Sequence, residues 1–112
     1  MEKKLNAVIT VRIFTDRKCF GPGIAELLHK VETHHSLRAA AKAMNMAYSK
    51  AWTITKNAEE GLGFKLLESS TGGKNGGGAA LTEEAENILA SYDRYCKKLK
   101  EYSDRLLSEE FG

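Results

Sequence analysis

Only three residues, Asn45-Met46-Ala47, separate two stretches that each repeat apolar residues at helical spacing. In the first, Leu37, Ala40, Ala41 and Met44 fall on one face of a helix predicted over Leu37–Met44, as a 3.6-residue period requires. Ser36 precedes it and suits a cap, because a hydroxyl there accepts a backbone N–H that has no partner inside the helix. In the second stretch, Ala51, Trp52, Thr55, Ala58 and Leu62 mark the inward face of a helix from Tyr48 to about Glu60. Two helices joined so briefly form a helix-turn-helix. Ala39 to Ala41 let the neighbouring helix approach closely.

The flanking segments enlarge this unit. Leu5 to Thr15 is rich in β-branched and aromatic residues (Val8, Ile9, Thr10, Val11, Ile13, Phe14), which favours a strand or the first arm of a hairpin turning near Asp16 to Lys18. Phe20-Gly-Pro-Gly interrupts regular structure, and Pro22 suits the first turn of a helix, where its missing N–H costs nothing. Ile24, Leu27, Leu28 and Val31 then predict a helix from Pro22 to about Thr33. Beyond the motif, Gly61 and Gly63 fit a helix C-terminus. Phe64 to Ser69 and Ala79 to Leu81 read as paired short strands around a loop holding five of the ten glycines.

Thr82 is placed to cap a long helix, with Glu83 and Glu84 at the positive end of its dipole. Ala85, Leu89, Tyr92, Cys96, Leu99, Tyr102 and Leu106 step by fours and threes, widened by Ile88 and Tyr95. Helical from Glu83 to Glu109, this segment is about 40 Å long, more than a domain of this size needs. Its distal half therefore needs a partner. A second copy is the expected one, with Leu89, Tyr92, Cys96, Leu99 and Leu106 on the dimerisation seam; a helix folded back over its own domain is the alternative. The expected fold is mainly α with a small β-sheet: a winged helix-turn-helix with an N-terminal strand or hairpin and a long C-terminal dimerisation helix. At 112 residues, 42% of them hydrophobic, the chain suits a single domain. Residues 1–81 would form the core and wing, and 82–112 the dimerisation helix.

No apolar run approaches the roughly 20 residues needed to cross a bilayer, and no signal-peptide core follows Met1 to Lys4, so a cytoplasmic protein without a membrane partner is expected. The net charge of +2 says little, but its distribution is uneven. Ser36 to Asn75 holds six basic residues against three acidic, whereas Thr82 to Gly112 holds eight acidic against five basic. The middle segment suits an anion.

A helix held away from the body of a helix-turn-helix fits the DNA major groove, while the helix before it passes near phosphates. The outward positions of the reading helix are Tyr48, Ser49, Lys50, Thr53, Lys56 and Asn57, whose hydroxyl, ammonium and amide groups suit bases and phosphates. Ser49, Lys50 and Thr53 lie in the N-terminal half that usually reaches bases. Arg38 on the preceding helix and Lys74 on the wing add cations. Trp52 is expected in the core, given its place among Ala51, Thr55 and Ala58; an exposed residue that stacks on single strands is the alternative. The glycine loop lacks the Gly-Lys-Ser or Gly-Lys-Thr that opens a phosphate-binding helix, which argues against nucleotide hydrolysis. Cys19, Cys96, His29, His34 and His35 show no metal-ligand spacing. No catalytic set stands out, so neither an enzyme nor a cofactor is expected.

Phe20-Gly-Pro-Gly, Ser36-Leu-Arg-Ala-Ala-Ala, Tyr48-Ser-Lys-Ala-Trp and Ser70-Thr-Gly-Gly-Lys-Asn-Gly-Gly-Gly-Ala-Ala-Leu-Thr together resemble the N-terminal domain of ModE-type regulators, within the wider LysR-like group. The likeness covers nearly the whole chain. It implies a winged-helix homodimer that binds operator DNA through its third helix and wing and dimerises through its terminal helix. Several ModE proteins regulate molybdate uptake, with the oxyanion held by additional C-terminal domains. This sequence stops at Gly112, so an effector-binding domain and molybdate sensing are not expected of it. Ala47 stands where relatives commonly place a capping serine. The expected function is sequence-specific binding of double-stranded DNA in transcription regulation. The alternatives are a winged-helix module that binds protein, and a redox- or metal-sensing regulator.

Overall fold

The computed structural model describes residues 3–70 and 77–112. Its elements are β1 (Ile13–Phe14), β2 (Lys18–Phe20), α1 (Pro22–His34), α2 (Leu37–Ala43), α3 (Tyr48–Leu62), β3 (Leu67–Ser70), β4 (Gly78–Leu81) and α4 (Glu83–Phe111). The predicted order of helices and hairpins is present.

Local chemistry explains most boundaries. Pro22 opens α1, and His35, in the left-handed region at φ 61°, closes it by donating its N–H to the Val31 carbonyl. The Ser36 hydroxyl accepts the Ala39 N–H at 2.9 Å and caps α2. Ala47 gives α3 no side-chain cap, as a methyl side chain dictates. Gly63 ends α3 at φ 87°, a conformation glycine adopts without a Cβ clash.

Gly61 corrects the sequence reading, for it lies inside α3 and does not terminate it. A Cβ there would stand 2.6 Å from the Cys19 Cβ, so its small size serves the close approach of α3 to β2.

The N-terminal strand is also much shorter than expected. Residues 3–12 form neither helix nor strand, and only Ile13 and Phe14 pair antiparallel with Phe20 and Lys18. Strand propensity needs a neighbouring edge to act on, and β2 offers three residues. The segment is instead pinned at Val11, whose carbonyl accepts the Tyr92 hydroxyl at 2.7 Å.

Phe20, Leu27, Leu28, Val31 and Leu66 are the largest fully buried side chains. Around them pack α1, α2 and the inner faces of α3 and α4. β3 pairs antiparallel with β4, from Leu67 opposite Leu81 to Ser70 opposite Gly78. The Ala79 N–H ties this hairpin to the His35 carbonyl at 2.9 Å. Thr82 accepts the Ala85 N–H at 3.1 Å and donates its hydroxyl to the Lys65 carbonyl at 2.7 Å, capping α4 and fastening it to the hairpin root.

α4 divides into two halves. Ala85, Leu89 and Tyr92 close this chain's own core, Leu89 and Tyr92 being 3% and 8% exposed, and Tyr92 meets Phe20 edge-on at 5.1 Å. Leu89 and Tyr92, expected on a seam between subunits, therefore have little surface to offer a second copy. Burial, then the neighbouring Cys96 thiol, pushes the Tyr92 hydroxyl up to about 12, and it stays protonated as a donor. Farther along, Cys96 and Leu99 are half-buried, while Tyr95, Tyr102, Leu106 and Phe111 are exposed.

Candidate nucleic-acid interface

α3 is seated by small side chains. Ala51, Thr55 and Ala58 are 0%, 2% and 4% exposed, and the Thr55 hydroxyl is satisfied by the Ala51 carbonyl one turn back at 2.9 Å. This leaves Tyr48, Ser49, Lys50, Trp52, Thr53 and Asn57 exposed, with Lys56 half-buried.

Trp52 corrects the sequence reading, since it is 49% exposed and not part of the core. Ala51, Thr55 and Ala58 already make a complete buried stripe, and Trp52 is turned about 100° from Ala51 around the helix. The close approach set by small residues has no room for an indole. Ile54, which packs against the core from the other flank, is the apolar neighbour that shares the inward side. A line of small residues at i, i+4 and i+7 with the one large ring outside it was the available signal.

A groove of about 440 Å³ runs between α3 and the β3–β4 hairpin, lined by Arg38, Tyr48, Trp52 and Lys56 on the helical side and by Ser69 and Gly78 across from them. Two cations lie on two aromatic rings here. The Arg38 guanidinium carbon is 4.2 Å from the Tyr48 ring centre, and the Lys56 ammonium is 5.5 Å from that of Trp52, both within cation–π reach.

Lys56 also meets Glu59 Oε1 at 3.2 Å, while Glu59 Oε2 accepts the Leu66 backbone N–H at 2.8 Å. Burial alone would raise the Glu59 carboxyl, but the Leu66 N–H and the Lys56 ammonium outweigh it and hold the group below its ordinary value. Glu59 is thus a structural anion that joins the end of α3 to the hairpin root. Glu59 was not among the residues expected at the interface, although its spacing of three from Lys56 fits an intrahelical pair.

The structure brings Arg38, Tyr48 and Lys56 together in the groove. Ser49, Lys50 and Thr53 share the exposed surface of α3 without lining it. Asn57 opens instead onto a separate hollow of about 240 Å³ beside Arg12, Lys18 and Ile24. Lys74, predicted on the wing, lies outside the described residues.

His29 joins two helices, its Nε2 2.8 Å from Asp93 and its Nδ1 3.3 Å from Glu32. Among the described residues, no group of three or more His, Cys, Asp or Glu is placed to hold a metal ion. Cys19 is buried and Cys96 half-buried, both as free thiols. No helix among the described residues is long and apolar enough to cross a membrane.

These elements define a winged helix-turn-helix: three helices, the third with a polar and aromatic outer face, and a two-stranded wing. More narrowly, residues 25–86 match the bacterial regulatory helix-turn-helix proteins of the lysR family, and the chain belongs to that family. Among solved structures, the fold is similar to that in the crystal structure of a CbnR_DBD–DNA complex, with a TM-score of 0.60 at 22% identity, covering 78% of this chain and 94% of that one. Among curated proteins, the chain is 36% identical over 89 residues to the transcriptional regulator ModE of Haemophilus influenzae. It is 30% identical over 90 residues to the DNA-binding transcriptional dual regulator ModE of Escherichia coli. Each match takes in 80% of this chain and 34% of the relative, so the chain spans about a third of these relatives' length. The ModE-type likeness carried by the motifs is therefore found over most of the sequence.

Proposed function

We propose that this protein binds double-stranded DNA in a sequence-specific manner and regulates transcription, with α3 entering the major groove. The observation that carries the reading is the outer face of α3, where Tyr48, Ser49, Lys50 and Thr53 stand exposed at the helix start beside the cations of the wing groove. Hydroxyl and ammonium groups at that end of a reading helix suit base edges and adjacent phosphates. Lys56, Arg38 and Lys74 serve the phosphate backbone, and Asn57 sits at the margin. The role is one of binding, performed in the cytoplasm, with no catalytic step. Genomic fragments titrated at low and rising ionic strength provide the test. Preference for some fragments over random duplex, weakening with salt, is expected. Equal affinity for every fragment at low salt refutes the proposal.

We further propose a homodimer built on the distal half of α4. Tyr95, Leu99, Tyr102 and Leu106, with Cys96 at the edge, form an apolar stripe beyond the part of α4 that closes the core. Pairing with a second copy would place two reading helices on successive half-sites of one duplex. Leu106→Asp is expected to convert a dimer to a folded monomer in sedimentation equilibrium. A monomeric wild type at tens of micromolar would remove this part of the proposal.

A further inference from the structure

We infer that Trp52 is a DNA-contacting residue, packing its indole on the deoxyribose backbone of the strand that passes between α3 and the wing. The inference rests on the duplex-binding reading above and adds to it a residue expected from the sequence in the core, with stacking on single strands as the alternative.

Three observations carry it. The ring is the largest apolar surface on the exposed face of α3, and folding accounts for only half of it, since 49% is exposed. It lines the groove on the wing side of α3, not the outer surface where Ser49, Lys50 and Thr53 stand, and so it faces the path of a backbone and not the base edges. Its surroundings also suit a sugar-phosphate chain. The Lys56 ammonium lies over the ring at 5.5 Å and the Arg38–Tyr48 pair lines the same groove, so each apolar ring has a cation beside it. An indole adds one N–H donor and no acceptor, which matches phosphate oxygens and repels nothing on the backbone. Of the acids lining the groove, Glu59 is already engaged by Lys56 and the Leu66 N–H. Glu68, exposed on β3, stands on the opposite wall.

The chain has a single tryptophan, so its emission reports on this site alone. The probe is an end-labelled duplex recovered by the wild-type protein from a random pool, with random duplex as comparator and binding followed independently by the label's anisotropy. On binding, Trp52 emission is expected to shift to the blue and acrylamide quenching to fall several-fold. Trp52→Ala is expected to bind about tenfold more weakly, by the same factor on the selected and the random duplex, while Trp52→Phe keeps most of the affinity. Because the side chain is half-exposed, the alanine variant is expected to fold, which far-ultraviolet dichroism checks. Anisotropy that shows binding while Trp52 stays fully quenchable overturns the inference and leaves the DNA-binding reading intact. A loss confined to the selected duplex makes Trp52 a base reader and overturns the backbone assignment. If no duplex is bound at all, both readings fall.

Discussion

The two sides of α3 invert the usual arrangement of a helix on a core. Its buried side is made of Ala51, Thr55 and Ala58, and its exposed side carries Tyr48 and Trp52. Small residues inside let the helix sit deep against α1 and α2, and large rings outside give it surface that folding does not use. α4 divides along its length instead, where Ala85, Leu89 and Tyr92 serve the core while Tyr95, Tyr102 and Leu106 farther on do not. One side of α3 is thus constrained by packing distance and the other is not.

Enlarging the buried side breaks this division most severely. Ala51→Leu inserts a branched side chain where no surface is free and is expected to cost about 3 kcal/mol of stability in urea unfolding. Trp52→Ala is expected to cost no more than about 1 kcal/mol; equal losses at the two positions would erase the distinction between the sides. Gly61→Ala tests the close seating in another place. Its new Cβ would meet Cys19, and a loss of about 2 kcal/mol is expected, against no loss if α3 has room to move away from β2.

On the exposed side the effect moves from stability to binding. Lys50→Ala is expected to leave the melting temperature unchanged and to weaken duplex binding by about 1 kcal/mol, with the salt slope reduced by about 1. A variant that melts early yet binds normally would place Lys50 among the packing residues. The smallest effect belongs to Glu59, at the junction of the two sides. Its folded carboxyl is held below the ordinary 4.5, so its stabilisation is present above that pH and lost as pH falls through the depressed folded value. Glu59→Gln is expected to flatten the acid limb of the stability profile below pH 4.5, and an unchanged limb would show that the Leu66 and Lys56 contacts do not favour the ionised form.

Much of this architecture was legible because it is written in local chemistry. Ser36, Thr82, Pro22 and Gly63 each act through their own backbone neighbourhood, and the structure uses all four at the predicted helix ends. What sequence misread depended on distance between elements. Gly61 looked like a terminator because its meeting with Cys19 is a tertiary event. The β-branched run before Ile13 looked like a strand, but propensity does not supply a partner edge. Trp52 looked buried because hydrophobicity was counted without asking how closely α3 is seated. Leu89 and Tyr92 share a heptad-like stripe with Leu99 and Leu106, and a stripe specifies a face without saying which half of it meets the chain's own core. Of the predicted interface, Arg38, Tyr48 and Lys56 converge on one groove, whereas Asn57 faces another, beside β2 and the start of α1.

Whether the exposed side of α3 reads duplex DNA is tested most directly by selection of bound duplexes from a random pool by the wild-type protein, followed by selection with the Ser49, Lys50 and Thr53 alanine variants. The predicted result is an enriched sequence of two related half-sites, centred about 10 base pairs apart or a multiple of that, with preferences that change at specific positions in the variants. A pool that emerges unenriched at low ionic strength, or an enriched sequence indifferent to all three substitutions, would contradict it.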